Sequence, residues 1–155
     1  MRSALALGAF VGACFLVAGV GGWLTSMGMP EWYATLRKPS FNPPSWIFGP
    51  VWTALYLAMA VAGWLVWREA GLDGGFRALA LFFVQLALNL AWSGIFFALR
   101  SPGWAMVEIV ALWSAILVTM LLFFRHSTLA GWLLVPYLIW VSFAAVLNAA
   151  IVRLN

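Results

Sequence analysis

The sequence predicts an all-α membrane protein, a five-transmembrane-helix bundle with a proline-rich, aromatic loop between helices 1 and 2. Of the 155 residues, 66% are hydrophobic and only 8% are charged, whereas about 25% of the residues in a soluble globular domain are charged. The few charges divide the chain into five apolar runs, each close to the ~20 residues that cross a bilayer as a helix. We therefore expect one membrane domain over residues 1–155.

Helix 1 is predicted at about residues 4–24. No Asp, Glu, Lys or Arg occurs between Ser3 and Pro30, and the apolar run exceeds the ~7–15 residues of a signal-peptide core. We expect the segment to be retained as a transmembrane helix.

The proline-rich loop, residues 25–44, contains Pro30, Pro39, Pro43 and Pro44 together with Trp32, Tyr33 and Phe41. Proline restricts its own backbone and that of the preceding residue, so a continuous helix is excluded here. An unstructured loop of this length is uncommon, and its aromatic residues predict an ordered lid packed against the helix ends.

The other apolar runs predict helices 2 to 5 at about residues 45–67, 78–99, 102–124 and 128–152. Ser45 is a candidate N-cap for helix 2, and residues 68–77 are expected to form a polar, glycine-rich connection to helix 3. Pro136 lies inside helix 5, where neighbouring helices can satisfy the carbonyl group that a proline leaves unbonded.

The basic residues are scattered along the chain, with Arg37-Lys38 the only adjacent pair in a formal charge of +4. Nucleic-acid binding needs a clustered basic surface, so this class of partner is excluded. The eight Lys and Arg residues divide equally between the two predicted sides, and the positive-inside rule leaves the orientation open. Cys14 is the only cysteine, which rules out an intrachain disulfide.

Ten of the eleven tryptophans fall into two groups by depth. Those at predicted helix ends are expected to form interfacial belts: Trp23, Trp32, Trp46, Trp67, Trp104 and Trp132. The deeper ones are Trp52, Trp92, Trp113 and Trp140. An indole N–H in the hydrocarbon region needs a partner, so the deep group is expected to face the bundle or a cavity.

At 100° per residue, three helices carry matching polar and aromatic stripes. They consist of Trp52, Tyr56 and Met59 on helix 2, Gln85, Asn89, Trp92, Ser93 and Phe96 on helix 3, and Tyr137, Trp140, Ala144, Leu147 and Asn148 on helix 5. Antiparallel connections bring the stripes together under the proline-rich loop, which predicts a ligand cavity. The alternative is that their polar groups only bond between helices, at ~0.6–2 kcal/mol per bond.

Glu108 is the only acidic residue inside a predicted span, which makes it a candidate functional group. An ion pair with Arg37, Lys38 or Arg100 is the structural alternative. His126, a single histidine at a helix end, is insufficient to predict haem-iron ligation. No metal cluster, nucleophile–base pair or nucleotide-binding motif occurs, so hydrolase, kinase and dehydrogenase classes have no support.

Small residues at four-residue spacing permit close helix contact. The rows are Ala4, Gly8 and Gly12 on helix 1, Ala54, Ala58 and Ala62 on helix 2, and Ala87 and Ala91 on helix 3. We expect most of them to pack within the chain and one row to serve a homodimer.

Four ordered sequence blocks resemble the TspO/MBR family, which comprises tryptophan-rich sensory proteins and the translocator proteins, also called peripheral benzodiazepine receptors. The blocks are Trp32-Tyr33 with Lys38-Pro39-Ser40-Phe41-Asn42-Pro43-Pro44 and Trp46; Phe48-Gly49-Pro50-Val51-Trp52-Thr53 with Leu55-Tyr56; Gln85-Leu86 with Asn89 and Trp92; and Pro136-Tyr137-Leu138-Ile139-Trp140 through Phe143-Ala144 to Leu147-Asn148. The resemblance covers nearly the whole chain.

This resemblance implies a dimeric bundle that binds porphyrins, such as protoporphyrin IX and other haem-pathway tetrapyrroles, and isoquinoline or benzodiazepine compounds. It places Tyr33, Trp52, Tyr56, Asn89, Trp92, Trp140 and Ala144 in the pocket. Pro43 of the loop block and Phe96 and Asn148 of the stripes complete the predicted ligand-binding set. No cofactor is required, because porphyrin enters as a ligand.

Family members also bind cholesterol through a Leu/Val, Tyr, Lys/Arg motif at the end of helix 5. Here no tyrosine lies between Leu147 and Arg153, so cholesterol binding is not predicted from this motif. Helical spans are typical of the bacterial cell membrane, since outer-membrane spans are normally barrels, although the family includes reported outer-membrane members.

The leading functional hypothesis is a receptor, transporter or stress sensor that binds tetrapyrroles. The alternative is a light- and oxygen-dependent porphyrin-degrading enzyme, with Trp52 and Trp140 as its redox partners. A third hypothesis is a non-catalytic scaffold or small-solute channel, which would have no saturable ligand.

Overall fold

The computed structural model describes residues 2–155, and within that range the chain forms helices and no strand. The helices are α1 (Arg2–Ser26), α2 (Glu31–Thr35), α3 (Phe48–Gly74), α4 (Phe76–Ser93), α5 (Pro102–His126) and α6 (Thr128–Leu154). Five of them, all except α2, are long and apolar enough to cross a membrane. The predicted five-helix bundle is confirmed, and its helices 1 to 5 correspond to α1, α3, α4, α5 and α6.

The second membrane-spanning helix runs further than predicted, and the expected polar connection over residues 68–77 is wrong. α3 continues to Gly74, and only Gly75 separates it from α4. The change of direction is made at Gly71, whose φ of 71° and ψ of −179° are open to glycine but strained for other residues. The Gly75 amide still donates to the Gly71 carbonyl over 3.0 Å, so helical bonding resumes at once.

Helix α3 is not capped by Ser45, contrary to the sequence prediction. A 3₁₀ turn, Ser45–Ile47, precedes the helix, and Ile47 occupies the cap position without a side-chain hydrogen bond. A serine cap does occur at α6, where the Ser127 hydroxyl accepts from the Ala130 amide over 3.2 Å. α6 continues through Pro136 without interruption, as predicted.

Two buried clusters divide the bundle along its length. The larger one extends from the end away from the proline-rich loop, where Phe82 and Phe123 stack with ring centroids 5.8 Å apart, to Tyr56 and Ile109 beside the smaller cluster. The smaller one joins Tyr33 of the loop to Phe96 and Phe97 of the π-helical turn Gly94–Ala98. Aliphatic and aromatic side chains therefore close one end of the bundle, and the aromatic side chains of the loop and the π-helical turn close the other end.

The proline-rich loop, residues 27–44 in the structure, is tied to the helix ends and contains the short helix α2. The Asn155 side chain accepts from the Arg37 amide over 3.1 Å and donates to the Arg37 carbonyl over 2.9 Å. Lys38 Nζ donates to the carbonyls of Tyr33 and Leu36 over 2.8 and 3.1 Å. These contacts confirm the prediction of an ordered lid.

Most predicted belt tryptophans lie on the outer surface. Trp23, Trp46, Trp104 and Trp132 are 60–73% exposed. Trp32 and Trp67 are only half-buried, and Trp32 meets the Phe96 ring edge-on at 5.7 Å. The first four therefore fit an interfacial role, whereas Trp32 also supports the loop.

Candidate ligand-binding site

A cavity of about 320 Å³ lies between the helices at the loop end of the bundle. This volume is at the lower end of the ~300–1,000 Å³ range of small-molecule pockets. α1, α3, α4, α5, α6, the π-helical turn and the proline-rich loop all contribute walls. No Asp, Glu, Lys, Arg or His lines it, so a ligand would meet an uncharged aromatic surface.

The structure brings nine of the ten predicted ligand-binding residues to this one cavity. They are Tyr33, Trp52, Tyr56, Asn89, Trp92, Phe96, Trp140, Ala144 and Asn148. Pro43 does not line it, because the loop reaches the cavity through Met29 and Tyr33 instead. The geometry thus assembles the predicted walls, while their binding of a ligand remains a prediction.

Helices α1 and α5 supply walls that the sequence analysis did not predict. α1 contributes Ala18, Gly21, Gly22 and Thr25, and α5 contributes Ile109 and Leu112. These residues carry no polar or aromatic stripe. The spacing of Ala18, Gly22 and Thr25 on one helical face was the available signal for α1, but the same pattern occurs on faces that contact lipid.

Four polar side chains form a continuous hydrogen-bonded chain at the base of the cavity. Tyr56 Oη donates to Asn89 Oδ1 over 3.2 Å, and Asn89 Nδ2 donates to Tyr137 Oη over 2.7 Å. Tyr137 Oη in turn donates to Gln85 Oε1 over 2.7 Å. These hydrogen bonds link α3, α4 and α6, which is the interhelical bonding that the alternative to a ligand cavity predicted. Tyr56 and Asn89 in addition line the cavity.

Two of the deep tryptophans have side-chain partners, as predicted. Trp92 Nε1 donates to Asn148 Oδ1 over 3.1 Å, and Asn148 Nδ2 donates to the Pro102 carbonyl over 2.9 Å. Trp113 Nε1 donates to Ser142 Oγ over 2.8 Å between α5 and α6. The Trp92 pair orients one aromatic wall of the cavity and anchors α6 to the start of α5.

The other two deep tryptophans, Trp52 and Trp140, present free indole N–H groups. Their rings meet almost at right angles, with centroids 6.5 Å apart and an interplanar angle of 88°. Among residues 2–155, neither N–H donates to a protein acceptor, and neither is among the buried polar atoms without a partner. Both can therefore donate to a ligand in the cavity.

Tyr33 closes the cavity from the loop side. Its side chain is only 5% exposed, and its Oη donates to Asn42 Oδ1 over 2.9 Å within the loop. Burial raises the pKa of the Tyr33 phenol above its usual value, so this group stays protonated and hydrogen-bonded at neutral pH.

Glu108 lies outside the cavity lining, and the ion-pair alternative for it is wrong. Both carboxylate oxygens are buried without a hydrogen-bond partner in residues 2–155. The candidate cations bond elsewhere, Lys38 to the loop carbonyls and Arg100 Nη2 to the Met27 carbonyl over 3.1 Å. His126 ends α5 and does not line the cavity either.

Comparison with known proteins gives the same assignment as the sequence blocks. Residues 10–154 match the TspO/MBR family. The chain belongs to this family. With five apolar helices it is an integral membrane protein of the TspO/MBR family, in the environment of a lipid bilayer.

Several relatives are similar over nearly the whole chain. A tryptophan-rich protein TspO from Chlorobaculum tepidum is 44% identical, with 99% of this chain and 98% of the relative aligned. The human translocator protein is 43% identical over 96% of this chain and 84% of its own length. A tryptophan-rich sensory protein from Cereibacter sphaeroides is 40% identical over 94% and 89%. The family resemblance stated from the motifs is therefore confirmed.

Proposed function

We propose that this TspO/MBR protein is a membrane receptor or transporter that binds porphyrins, protoporphyrin IX in particular, in the cavity under the proline-rich loop. A role in stress sensing or tetrapyrrole regulation fits relatives named translocator protein and tryptophan-rich sensory protein. The observation that carries the proposal is the pair Trp52 and Trp140, which both line the uncharged cavity and whose indole N–H groups have no acceptor among residues 2–155.

The cavity residues have N–H donors that are not used within the protein, and these donors favour a ligand with hydrogen-bond acceptors at its edges. The Trp52 and Trp140 indoles can only donate. The oxygens of Asn89 and Asn148 already accept bonds from Tyr56 and Trp92, whereas each amide nitrogen retains a second proton. Carbonyl and carboxylate groups on a flat aromatic body match this set, which also suits isoquinoline carboxamides and benzodiazepines.

The proposal is tested by titrating the purified protein with protoporphyrin IX while tryptophan fluorescence is followed. A Trp52→Phe/Trp140→Phe double variant retains two aromatic rings but removes both donors. At ~0.5–1.5 kcal/mol for each hydrogen bond, affinity should fall about 5- to 150-fold.

Trp104→Phe is the matched control, because Trp104 is 71% exposed and lies outside the cavity. We expect its affinity for protoporphyrin IX to equal that of the wild type. Unchanged affinity in the double variant would refute the proposed site. The absence of any saturable ligand in the wild type would favour the scaffold or channel hypothesis.

A second candidate function is light- and oxygen-dependent porphyrin degradation. Oxidisable rings are in contact around the cavity, with Trp52 5.7 Å from Tyr56 and 6.2 Å from Tyr137 between centroids. Trp52 and Trp140 would supply electrons to the excited porphyrin, and dioxygen would be the oxidant. Mass spectrometry after aerobic illumination decides the matter, because unaltered porphyrin would exclude this function.

Homodimer formation is proposed from the small-residue rows that remain on the outer surface. Ala4, Gly8 and Gly12 of α1 are exposed, and a Cβ at either glycine would meet nothing within 4 Å. Ala87 and Ala91 of α4 are exposed as well. The expectation that most rows pack within the chain is therefore wrong for α1 and α4, which are free to contact a second copy.

We place the protein in the bacterial cell membrane, as its helical spans suggest.

A further inference from the structure

The cavity has one exposed margin, and it lies between α1 and α3. Among all the lining residues, only three are also exposed on the outer surface: Gly22 of α1 and Gly49 and Thr53 of α3. A Cβ built at Gly22 or at Gly49 would meet nothing within 4 Å. The two helices therefore leave a gap beside the cavity, bordered by residues with little or no side chain.

Helices α1 and α3 touch at their other ends, so the gap is a local divergence. Near the start of α1, Phe10 packs so closely on α3 that a Cβ at Gly63 would lie 2.8 Å from its ring. Trp64 Nε1 also donates to the Ser3 carbonyl over 2.9 Å. The two helices are thus tightly packed at the far end, whereas a Cβ at Gly22 or Gly49 would have no neighbour within 4 Å.

Two other margins of the cavity, at the loop end and between α3 and α6, are closed by aromatic rings. At the loop end, Tyr33, Phe96 and Phe97 are only 2–7% exposed and pack ring against ring. Between α3 and α6, the Phe48 ring meets the Trp140 ring edge-on at 6.0 Å. A ligand that entered through the loop would first have to separate this aromatic cluster.

The gap lies at the depth of the membrane–water interface. Gly22 precedes the end of α1 by four residues, about 6 Å along the axis. Trp23, next to it, is 62% exposed, and Trp46, just before α3, is 73% exposed. Exposed tryptophans are typical of the interfacial layer, where flat, amphipathic molecules also concentrate.

We propose that ligands reach the cavity sideways from the interfacial layer of the bilayer, through a portal between α1 and α3 framed by Gly22, Gly49 and Thr53. The inference rests on the proposed ligand-binding function and adds the route. It implies a substrate class, namely flat amphipathic molecules that partition into the membrane before they bind. The proline-rich loop then acts as a fixed wall.

A blocked portal changes rates rather than affinity, because a barrier on the only route slows entry and exit by the same factor. In lipid nanodiscs, stopped-flow mixing with protoporphyrin IX should give both rate constants. For Gly22→Leu and Gly49→Leu we expect the association and dissociation rate constants to fall together by about tenfold.

Gly19→Leu is the matched control, since Gly19 lies three residues from Gly22 on α1, is exposed, has open space around it and does not line the cavity. Its rates should equal those of the wild type. Wild-type rates in both portal variants would overturn the portal, and so would a change in the dissociation rate alone. No saturable binding by the wild type would instead overturn the proposed function, and the portal with it.

A reversible block keeps the test valid if a leucine variant fails to fold. Cys14 is the only cysteine and is buried, so Gly22→Cys in a Cys14→Ala background gives one accessible thiol. Modifying the folded protein with a benzyl methanethiosulfonate should slow both rates, and dithiothreitol should restore them. Unchanged rates after complete modification would overturn the portal.

Discussion

The hydrogen-bonded chain at the base of the cavity makes Tyr137 the most informative position for a stability measurement. Its side chain is fully buried, and its hydroxyl both accepts from Asn89 Nδ2 and donates to Gln85 Oε1, each over 2.7 Å. Tyr137→Phe removes one oxygen and leaves the ring in place. Two buried amide groups on α4 then lose their partner on α6.

The expected cost follows from the number of bonds lost. Interhelical hydrogen bonds in a membrane protein average ~0.6 kcal/mol and reach ~1.7 kcal/mol. For two bonds, Tyr137→Phe should therefore lower the free energy of unfolding by about 1–3.5 kcal/mol. Ligand affinity should change less, because Tyr137 does not line the cavity.

The assay is reversible unfolding by sodium dodecyl sulfate in mixed micelles, followed by circular dichroism. A double-mutant cycle with Gln85→Leu isolates the Tyr137 to Gln85 bond, and the double variant should cost less than the sum of the two single variants. Tyr33→Phe serves as the control, since it removes one bond in the loop outside the transmembrane bundle. If Tyr137→Phe lowers the free energy of unfolding by less than about 0.5 kcal/mol, the hydrogen-bonded side chains do not stabilise the bundle and the reasoning is refuted.

Two further predictions concern groups outside the cavity. Glu108→Gln should leave the free energy of unfolding unchanged or raise it, because the carboxylate is buried without a partner. If the same assay shows a decrease of more than about 1 kcal/mol, the carboxylate has a bonding partner and the prediction is wrong. Asn155→Ala should speed trypsin cleavage after Arg37 several-fold, because it removes both bonds that tie the loop to the end of α6. Asn155→Asp keeps the acceptor and should give an intermediate rate, and equal cleavage of all three proteins would contradict the contact.

Helix rotation was predictable because it is a local property. Trp52 and Tyr56, Asn89 and Trp92, and Trp140 and Ala144 each recur at three or four residues, so any α-helix places each pair on one face. Aromatic and amide side chains on such a face avoid lipid, which turns the face inward. Eight of the ten predicted residues lie on these three helices and line one cavity, and Tyr33 of the loop is the ninth.

Helix ends and polar partners were less predictable because they depend on neighbours. Residues 68–77 are polar enough for a loop, yet a single glycine conformation at Gly71 lets the helices nearly join. Glu108 had three cations within plausible reach along the sequence, but Lys38 and Arg100 bond to backbone carbonyls instead. Which acceptor each cation bonds depends on distances between helices and loops, and no local sequence pattern encodes those distances.

The sequence alone determined the membrane class, the five spans, the family and the inward faces of three helices, since hydrophobic length and helical period are intrinsic to each segment. Only the tertiary structure decided that α1 and α5 complete the cavity, that Pro43 lies outside it, and that Gly22 and Gly49 border it with open space beside them. These features arise from the angles at which helices cross. A crossing angle depends on both packed surfaces together, so neither helix sequence specifies it alone.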